Sequence, residues 1–319
     1  MVRARYGVAG DPIEHSLSPL LFSIVIDHLE NLKPKPEGIP EVKRKDIIPA
    51  KGIEDALAWG YAGAVPNPPD WNLTSAPLGR FRSNELIRRA IESSSGLPSL
   101  LPNGPKIPAA EHQMPIGSDE VWMSLTTPLK HQLNSAVMRS VDAGMEIISI
   151  NTLCWDGDAW WCASTDGDGL VMVAQTFDID IEKSVLGLIG GGGTARSIAE
   201  AWTRAGGSIH PIPGRRTLED SKNWKLTSKE PDLVMDLDVE PGSESNNSDI
   251  MITYLPMEGD AEQRLERLMN KPIDGRWMLC AQHLIAWSRL WCPHVSDYLP
   301  SLGQLVTRLA HAEAMLDSM

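Results

Sequence analysis

Four consecutive glycines, Gly190 to Gly193, stand between an apolar run, Val185 to Ile189, and a helical pattern from Thr194 to Ala205. Nothing else in the chain limits its fold as strongly. Glycines at a strand-to-helix junction let the backbone turn tightly and approach a ligand, while the helix start supplies free amides and the positive end of its dipole. The helical pattern stops at Gly206-Gly207, and a second strand follows at Ser208 to Ile212. Strand, glycine turn, helix and strand are the context a dinucleotide-binding loop requires; a tight turn without a ligand is the plainer alternative. The run lacks the Gly-Lys-Ser/Thr ending of a triphosphate-hydrolysing loop. Gly190, Gly191, Gly192, Gly193, Thr194 and Ala195 are therefore candidate cofactor contacts.

Cofactor choice is read at the end of the following strand, where an acid suits the ribose hydroxyls of NAD and a cation suits the 2'-phosphate of NADP. The segment there is Gly214-Arg215-Arg216-Thr217, which favours NADP, although a solvated pair of surface arginines gives the same sequence. Glu219 and Asp220 follow closely and oppose a phosphate.

A net charge of -13 and a pI near 5.1 argue against nucleic acid or an anionic membrane surface as partner, since both recruit clustered Lys and Arg. Small-molecule chemistry in the cytoplasm is the expectation, with no signal-peptide apolar region at the N-terminus and no run of about 18 apolar residues. Cys154, Cys162, Cys280 and Cys292 show no CxxC spacing and lie in apolar stretches, so they are read as reduced core residues, with no metal site. Asn72-Leu73-Thr74 and Asn246-Asn247-Ser248 match a glycosylation pattern by chance.

Residues 5 to 10 read as a strand leading to a helix from Pro19, with Ser18 as N-cap and Pro19 at the first helical position. Residues 33 to 118 hold 13 of the 24 prolines and are expected to form a loop-rich insert, with one helix from Asn84 to Ser93. Beyond it the pattern predicts a buried strand from Glu120 to Leu125, a helix from Pro128 to Ala143 and a strand from Glu146 to Ile150. A hairpin is expected at Asp156-Gly157-Asp158, and an amphipathic helix from Ser301, with Leu302, Leu305, Val306, Leu309, Ala312 and Leu316 on one face.

Several polar residues fall at the ends of these elements. Ser16 and Ser18 offer hydroxyls at a helix start, suited to a carboxylate, with simple capping by Ser18 as the plainer role. Lys130 falls in the first turn of its expected helix, against the dipole, and is either an exposed lysine or a placed acid. Asp166, if adjacent, holds Lys130 in position and favours its charged form. Asn151, beyond a strand end, is either a ligand for hydroxyls or a turn residue. Asp166-Gly167-Asp168-Gly169 lacks the later acidic ligands of a calcium loop.

The segments Gly10 to Pro19, Thr126-Thr127-Pro128-Leu129-Lys130, Asn151-Thr152-Leu153, Thr165-Asp166-Gly167, Tyr254-Leu255-Pro256 and Gly275 to Gln282 resemble, in order, the motifs of the shikimate dehydrogenase family. The resemblance implies Lys130 and Asp166 as the catalytic pair. It implies Ser16 and Ser18 as carboxylate contacts, Thr126, Asn151, Asp166, Tyr254 and Gln282 as substrate contacts, and Gly275 near the nicotinamide. Ser124 and Ser164 stand where the family usually has asparagine, Arg215 replaces another, and Asp220 occupies an often basic position.

The expected fold is α/β. Residues 1–167 form a substrate domain with a mostly parallel sheet, 168–281 a Rossmann-like NADP-binding domain, and 282–319 helices that pack back on the first, with the active site in the interdomain cleft. The implied reaction is reversible reduction of 3-dehydroshikimate to shikimate by NADPH, in aromatic amino-acid biosynthesis, by a monomer or homodimer. An NAD-dependent quinate/shikimate dehydrogenase and a catalytically silent NADP-binding sensor or assembly protein are the alternatives.

Overall fold

The computed structural model describes residues 3–13, 16–62, 84–110, 114, 117, 119–133, 138–240, 243 and 248–318. Much of the proline-rich stretch, Glu14 and His15 of the first motif and both glycosylation-type triplets, apart from Ser248, lie outside them.

The first strand, β1 (Arg3–Gly10), leads into α1 (Ser18–Asn31) and returns as β2 (Glu41–Pro49), parallel to β1. Then come α2 (Ile53–Ala62), α3 (Asn84–Ser94) and β3 (Asp119–Leu125), which pairs with the other side of β1, also parallel. The two-residue β4 (Arg139–Ser140) precedes the hairpin β5 (Thr152–Trp155) and β6 (Trp160–Ala163), whose turn falls at Asp156 to Asp158 as the glycine predicts. The sheet runs β2-β1-β3-β5-β6-β4 and is parallel except where β5 pairs with β3 and β6.

Two expectations fail in this half. The stretch expected to be loop-rich with one helix has that helix as α3 but carries β2 and α2 as well: its described prolines lie at the ends of these elements or outside them. Strand β2 reads Glu-Val-Lys-Arg-Lys-Asp-Ile-Ile-Pro, a charged edge strand with too few apolar residues to show a period of two. Among the described residues the helix expected over 128–143 does not form, nor does the strand expected over 146–150. A single 3-10 turn, Leu129–His131, occupies the start of that region. Asp142 explains the middle. Its carboxylate accepts from the amides of Gly144 and Ser164 at 2.8 Å each and from Arg289 at 3.0 Å, giving the chain a side-chain alternative to helix. Ile150 N donates to Lys130 O at 2.8 Å and Leu125 N to Asn151 O at 2.7 Å, so antiparallel pairing with β3 begins only at Thr152.

Helix α4 (Asp166–Thr176) passes to the second sheet, built from β7 (Val185–Ile189), α5 (Gly193–Arg204), β8 (Ser208–Ile212) and β9 (Leu233–Asp236). Its order is β8-β7-β9, all parallel, so the glycine turn sits at the carboxyl end of the central strand, where open α/β sheets bind ligands. Helices α6 (Ala261–Leu268) and α7 (Gly275–Ala286) follow. After a wide turn through Trp287–Trp291, α8 (Leu302–Asp317) begins at Ser301, whose hydroxyl caps Gln304 N. Helix α8 buries its predicted apolar face against α1, α3, α6 and α7, and the four cysteines are free and buried.

The two sheets are joined at α4. Gly167 N donates to Ser197 Oγ at 2.9 Å, and a methyl group on Gly167 would run into the carbonyl of Ser197 on α5. Arg289 reaches Asp168 at 2.5 Å while Arg204 takes the other oxygen at 2.6 Å, so one carboxylate of α4 is held from both sides. Gly167→Ala is therefore expected to lower the unfolding free energy by roughly 1–3 kcal/mol, the usual cost of overpacking. Urea denaturation measures it, and an unchanged midpoint contradicts the contact.

Candidate active site

Leu129, wholly buried, anchors the 3-10 turn that carries Lys130. Three residues are too few for a helix dipole to act on Lys130, so that expected electrostatic penalty is absent. The lysine instead meets Asp166: Nζ donates to Oδ2 at 2.6 Å and to Thr194 Oγ1 at 3.2 Å. Asp166 is the first residue of α4, a position that favours a carboxylate, and its side chain is 1% exposed against 14% for Lys130. Its other oxygen accepts from Asn151 Nδ2 at 2.9 Å. Asn151 also donates to Thr165 Oγ1 at 2.9 Å and accepts from Thr165 N at 2.7 Å. Both N–H bonds of this amide are thus made within the protein. Both oxygens of Asp166 are likewise bonded within the protein, to Lys130 and to Asn151.

Lys130 stands where two cavities meet. The larger, 610 Å³, is walled by Ser16, Ser18, Thr126, Asn151, Tyr254 and Gln282 among others, so every expected substrate contact except Asp166 is on it. Ser18 does not cap α1, whose cap position is Leu17. Ser16 Oγ accepts from Ser18 N at 3.3 Å instead, and Leu17 N points to the Tyr254 hydroxyl at 3.2 Å. Burial pushes the Tyr254 phenol up to about 12 against the opposing pull of Leu17 N–H and Arg276, so it is neutral at physiological pH.

The smaller cavity, 350 Å³, is lined by Gly190, Gly192, Gly193, Thr194, Ala195, Arg215 and Arg216, and it shares Thr127, Lys130, Thr194, Arg215 and Leu237 with the larger. Gly190 has φ +107, which only glycine adopts without strain. Gly191 is off this wall: its backbone lies against that of Thr217, which is also off it. Gly275 lines neither cavity. It packs on the carbonyl of Thr253, itself a wall residue of the larger one, and a side chain there would push that wall inward.

Sequence reasoning passed over a cation and a histidine here. Arg196, in the first turn of α5, is not on the wall of the smaller cavity; among the described residues its buried Nε has no partner, and burial followed by repulsion from Arg216 lowers its pKa. His131 lines the same cavity; burial, then Arg216 and Arg196, lower its pKa too. Arg215 is partly neutralised by Asp238, which accepts from its backbone N at 2.5 Å and lies 3.7 Å from its Nε. Residue type alone could have flagged Arg196, one turn into a helix that opens with glycines. His131 carried no such signal, since its nearness to Arg216 depends on tertiary packing. Among the described residues no group of His, Cys, Asp and Glu is arranged to hold a metal ion. No described helix is long and apolar enough to cross a membrane.

No family model matches the chain. It is similar to curated NADP(+) shikimate dehydrogenases of Stenotrophomonas maltophilia. It is 36% identical to that of strain K279a and 27% identical to that of strain R551-3, in each case over 199 residues that cover 60% of this chain and 70% of the relative. In fold it is similar to the shikimate 5-dehydrogenase of Thermus thermophilus. The crystal structure with shikimate gives a TM-score of 0.56 at 16% identity over 98% of this chain and 99% of that one. The structure with NADP(H) and shikimate gives 0.55 at 16% identity, over 98% and 100%.

Proposed function

The chain belongs to the shikimate dehydrogenase family, and we propose that it is an NADP-dependent oxidoreductase that reversibly reduces the ring ketone of 3-dehydroshikimate to shikimate, in the cytoplasm. The observation that carries the reading is the contact of Lys130 with Asp166 at the seam of the two cavities, 2.6 Å between Nζ and Oδ2. One cavity sets hydroxyl and amide side chains among apolar ones and is of a size for a small hydroxy acid; the other has the features of a phosphate site.

The residues fit the cofactor. Gly190 turns where a side chain is excluded, α5 presents its free amides, and Arg216 puts positive charge on the wall, with Arg196, whose Nε has no partner among the described residues, near enough to repel it. Arg216 and Arg196 are assigned to the 2'-phosphate, with Arg215 held to Asp238 as support. When bound, NADPH supplies the hydride.

The chain's own work is the proton. Lys130 holds a proton at Nζ beside the ring oxygen and gives it up as charge develops there, while Asp166 keeps the amine in line. Thr194 and Asn151 fix the two carboxylate oxygens of Asp166. Ser16 and Ser18 at the start of α1 receive the substrate carboxylate, and Thr126, Tyr254 and Gln282 hold the ring. In the reverse direction the lysine accepts the proton.

The proposal extends to domain organisation: residues 1–167 hold the substrate, 168–281 the cofactor, and 282–319 return to the first unit. It is supported by the two separate sheets, with α4 and α7 spanning the divisions. A monomer or homodimer suffices, as one chain supplies all the wall groups described.

Two experiments test the reading. Incubation with shikimate and NADP+ is expected to yield 3-dehydroshikimate, identified by chromatography and mass; unchanged shikimate contradicts it. Arg216→Ala is expected to raise KM for NADPH about 10- to 100-fold, from the loss of charge-assisted bonds, with KM for NADH little changed. Equal effects on both cofactors would remove Arg216 from the phosphate site.

A further inference from the structure

The wall of the larger cavity includes a buried group to which the proposed reaction gives no role. His283, next to Gln282 on α7, lines this cavity, is 2% exposed, and has neither Nδ1 nor Nε2 bonded among the described residues. The neighbouring polar groups are engaged. Tyr6 Oη and Ser124 Oγ lie 2.9 Å apart, and Trp291 Nε1 donates to Leu153 O at 3.1 Å. The His283 ring packs against aromatic rings, 6.4 Å from Tyr6 and 5.8 Å from Trp291 between centroids.

An imidazole buried without bonds costs the folded state its full desolvation, so this one carries a penalty that a ligand can relieve. Burial alone pushes its pKa down to about 3. It is therefore neutral, with one N–H to donate and one lone pair to accept, the complement of a hydroxyl group. No hydrogen bond fixes the ring angle, and the torsion about Cβ–Cγ is broad for histidine, so rotation there turns a nitrogen toward the cavity.

We propose that His283 reads the substrate: it exchanges hydrogen bonds with a ring hydroxyl of the cyclic hydroxy acid and selects for acids that carry it. This rests on the shikimate dehydrogenase reading. It adds to the site a specificity-determining side chain that takes no part in proton transfer to the reacting oxygen.

The test compares kcat/KM of the wild type and His283→Phe for oxidation of shikimate, 4-deoxyshikimate and 5-deoxyshikimate by NADP+. For shikimate the variant is expected to lose about 10- to 100-fold. The wild type is expected to lose a similar factor on one of the two deoxy acids, and the variant to lose nothing further on that same acid. An equal loss on all three acids, or no loss, overturns the proposal. The wild type labelled with 15N-histidine gives a check that needs no variant. Adding shikimate is expected to shift the ring-nitrogen resonances of His283, and unchanged resonances at saturation overturn the proposal. If the wild type oxidises none of the acids, the reading of the reaction fails instead. If it oxidises shikimate with no dependence on His283, only this inference fails.

Discussion

Lys130→Met is expected to reduce kcat by about 10²- to 10⁴-fold, the range for loss of a positioned general acid, with the affinity for NADPH close to that of the wild type. Among the described residues the lysine is the cation bonded to Asp166, and it lies on the walls of both cavities. Methionine keeps the length and the apolar stem and removes the proton. The variant also leaves the buried Asp166 carboxylate without its cation, which costs stability in its own right. Lys130→Met/Asp166→Asn removes that stray charge, so it should regain stability in urea and stay inactive. Turnover by Lys130→Met within about threefold of the wild type would remove the lysine from proton transfer.

Glu313→Ala should give the largest loss of stability, about 3–5 kcal/mol by chemical denaturation, the usual cost of breaking a buried ion pair from one side. Arg276, wholly buried on α7, meets the Glu313 carboxylate of α8 through two bonds of 2.8 and 2.9 Å. Burial opposes the Arg276 charge, but Glu313 and Asp274 outweigh it and hold the pKa above its ordinary value. The same guanidinium donates to Leu255 O at 2.8 Å and lies 5.3 Å from the centre of the Tyr254 ring. The ion pair thus fixes a wall of the substrate cavity as well as the α7–α8 junction. Arg276→Met/Glu313→Leu is expected to recover most of the stability, because packed apolar groups replace buried pairs at little cost, while KM for shikimate stays raised. A double variant with the KM of the wild type would show that Tyr254 does not depend on Arg276.

The parts of this fold legible in sequence are those where one local signal decides. The glycines after Val185 to Ile189 admit a turn that other residues resist, and the flanking periods change from strand to helix at that point. Asp156-Gly157-Asp158 likewise admits little but a hairpin turn, and Ser301 announces α8. Where side chains compete with the backbone, the reading failed. From Pro128 to Ile150 the apolar spacing suits a helix, but Asp142 takes backbone amides from two segments and an arginine from a third, an arrangement invisible before the chain is folded. Strand β2 was hidden by its own charge. In the site, the residue types were legible and their division of labour was not. Asn151 lies on the wall of the larger cavity and Asp166 does not, and the bonds that join them to each other, to Lys130 and to Thr165 exist only in the folded chain. His131 and Arg196 come together with Arg216 only through packing of the Lys130 turn against α5.

The most direct measurement is the nicotinamide absorbance of the purified wild type given 3-dehydroshikimate, with NADPH and NADH in parallel. A Lys130–Asp166 pair working between a hydroxy-acid cavity and an arginine-lined phosphate site requires rapid loss of absorbance with NADPH, slower loss with NADH, and none when the acid is omitted. Bound NADPH with no loss of absorbance on adding the acid would contradict that reading.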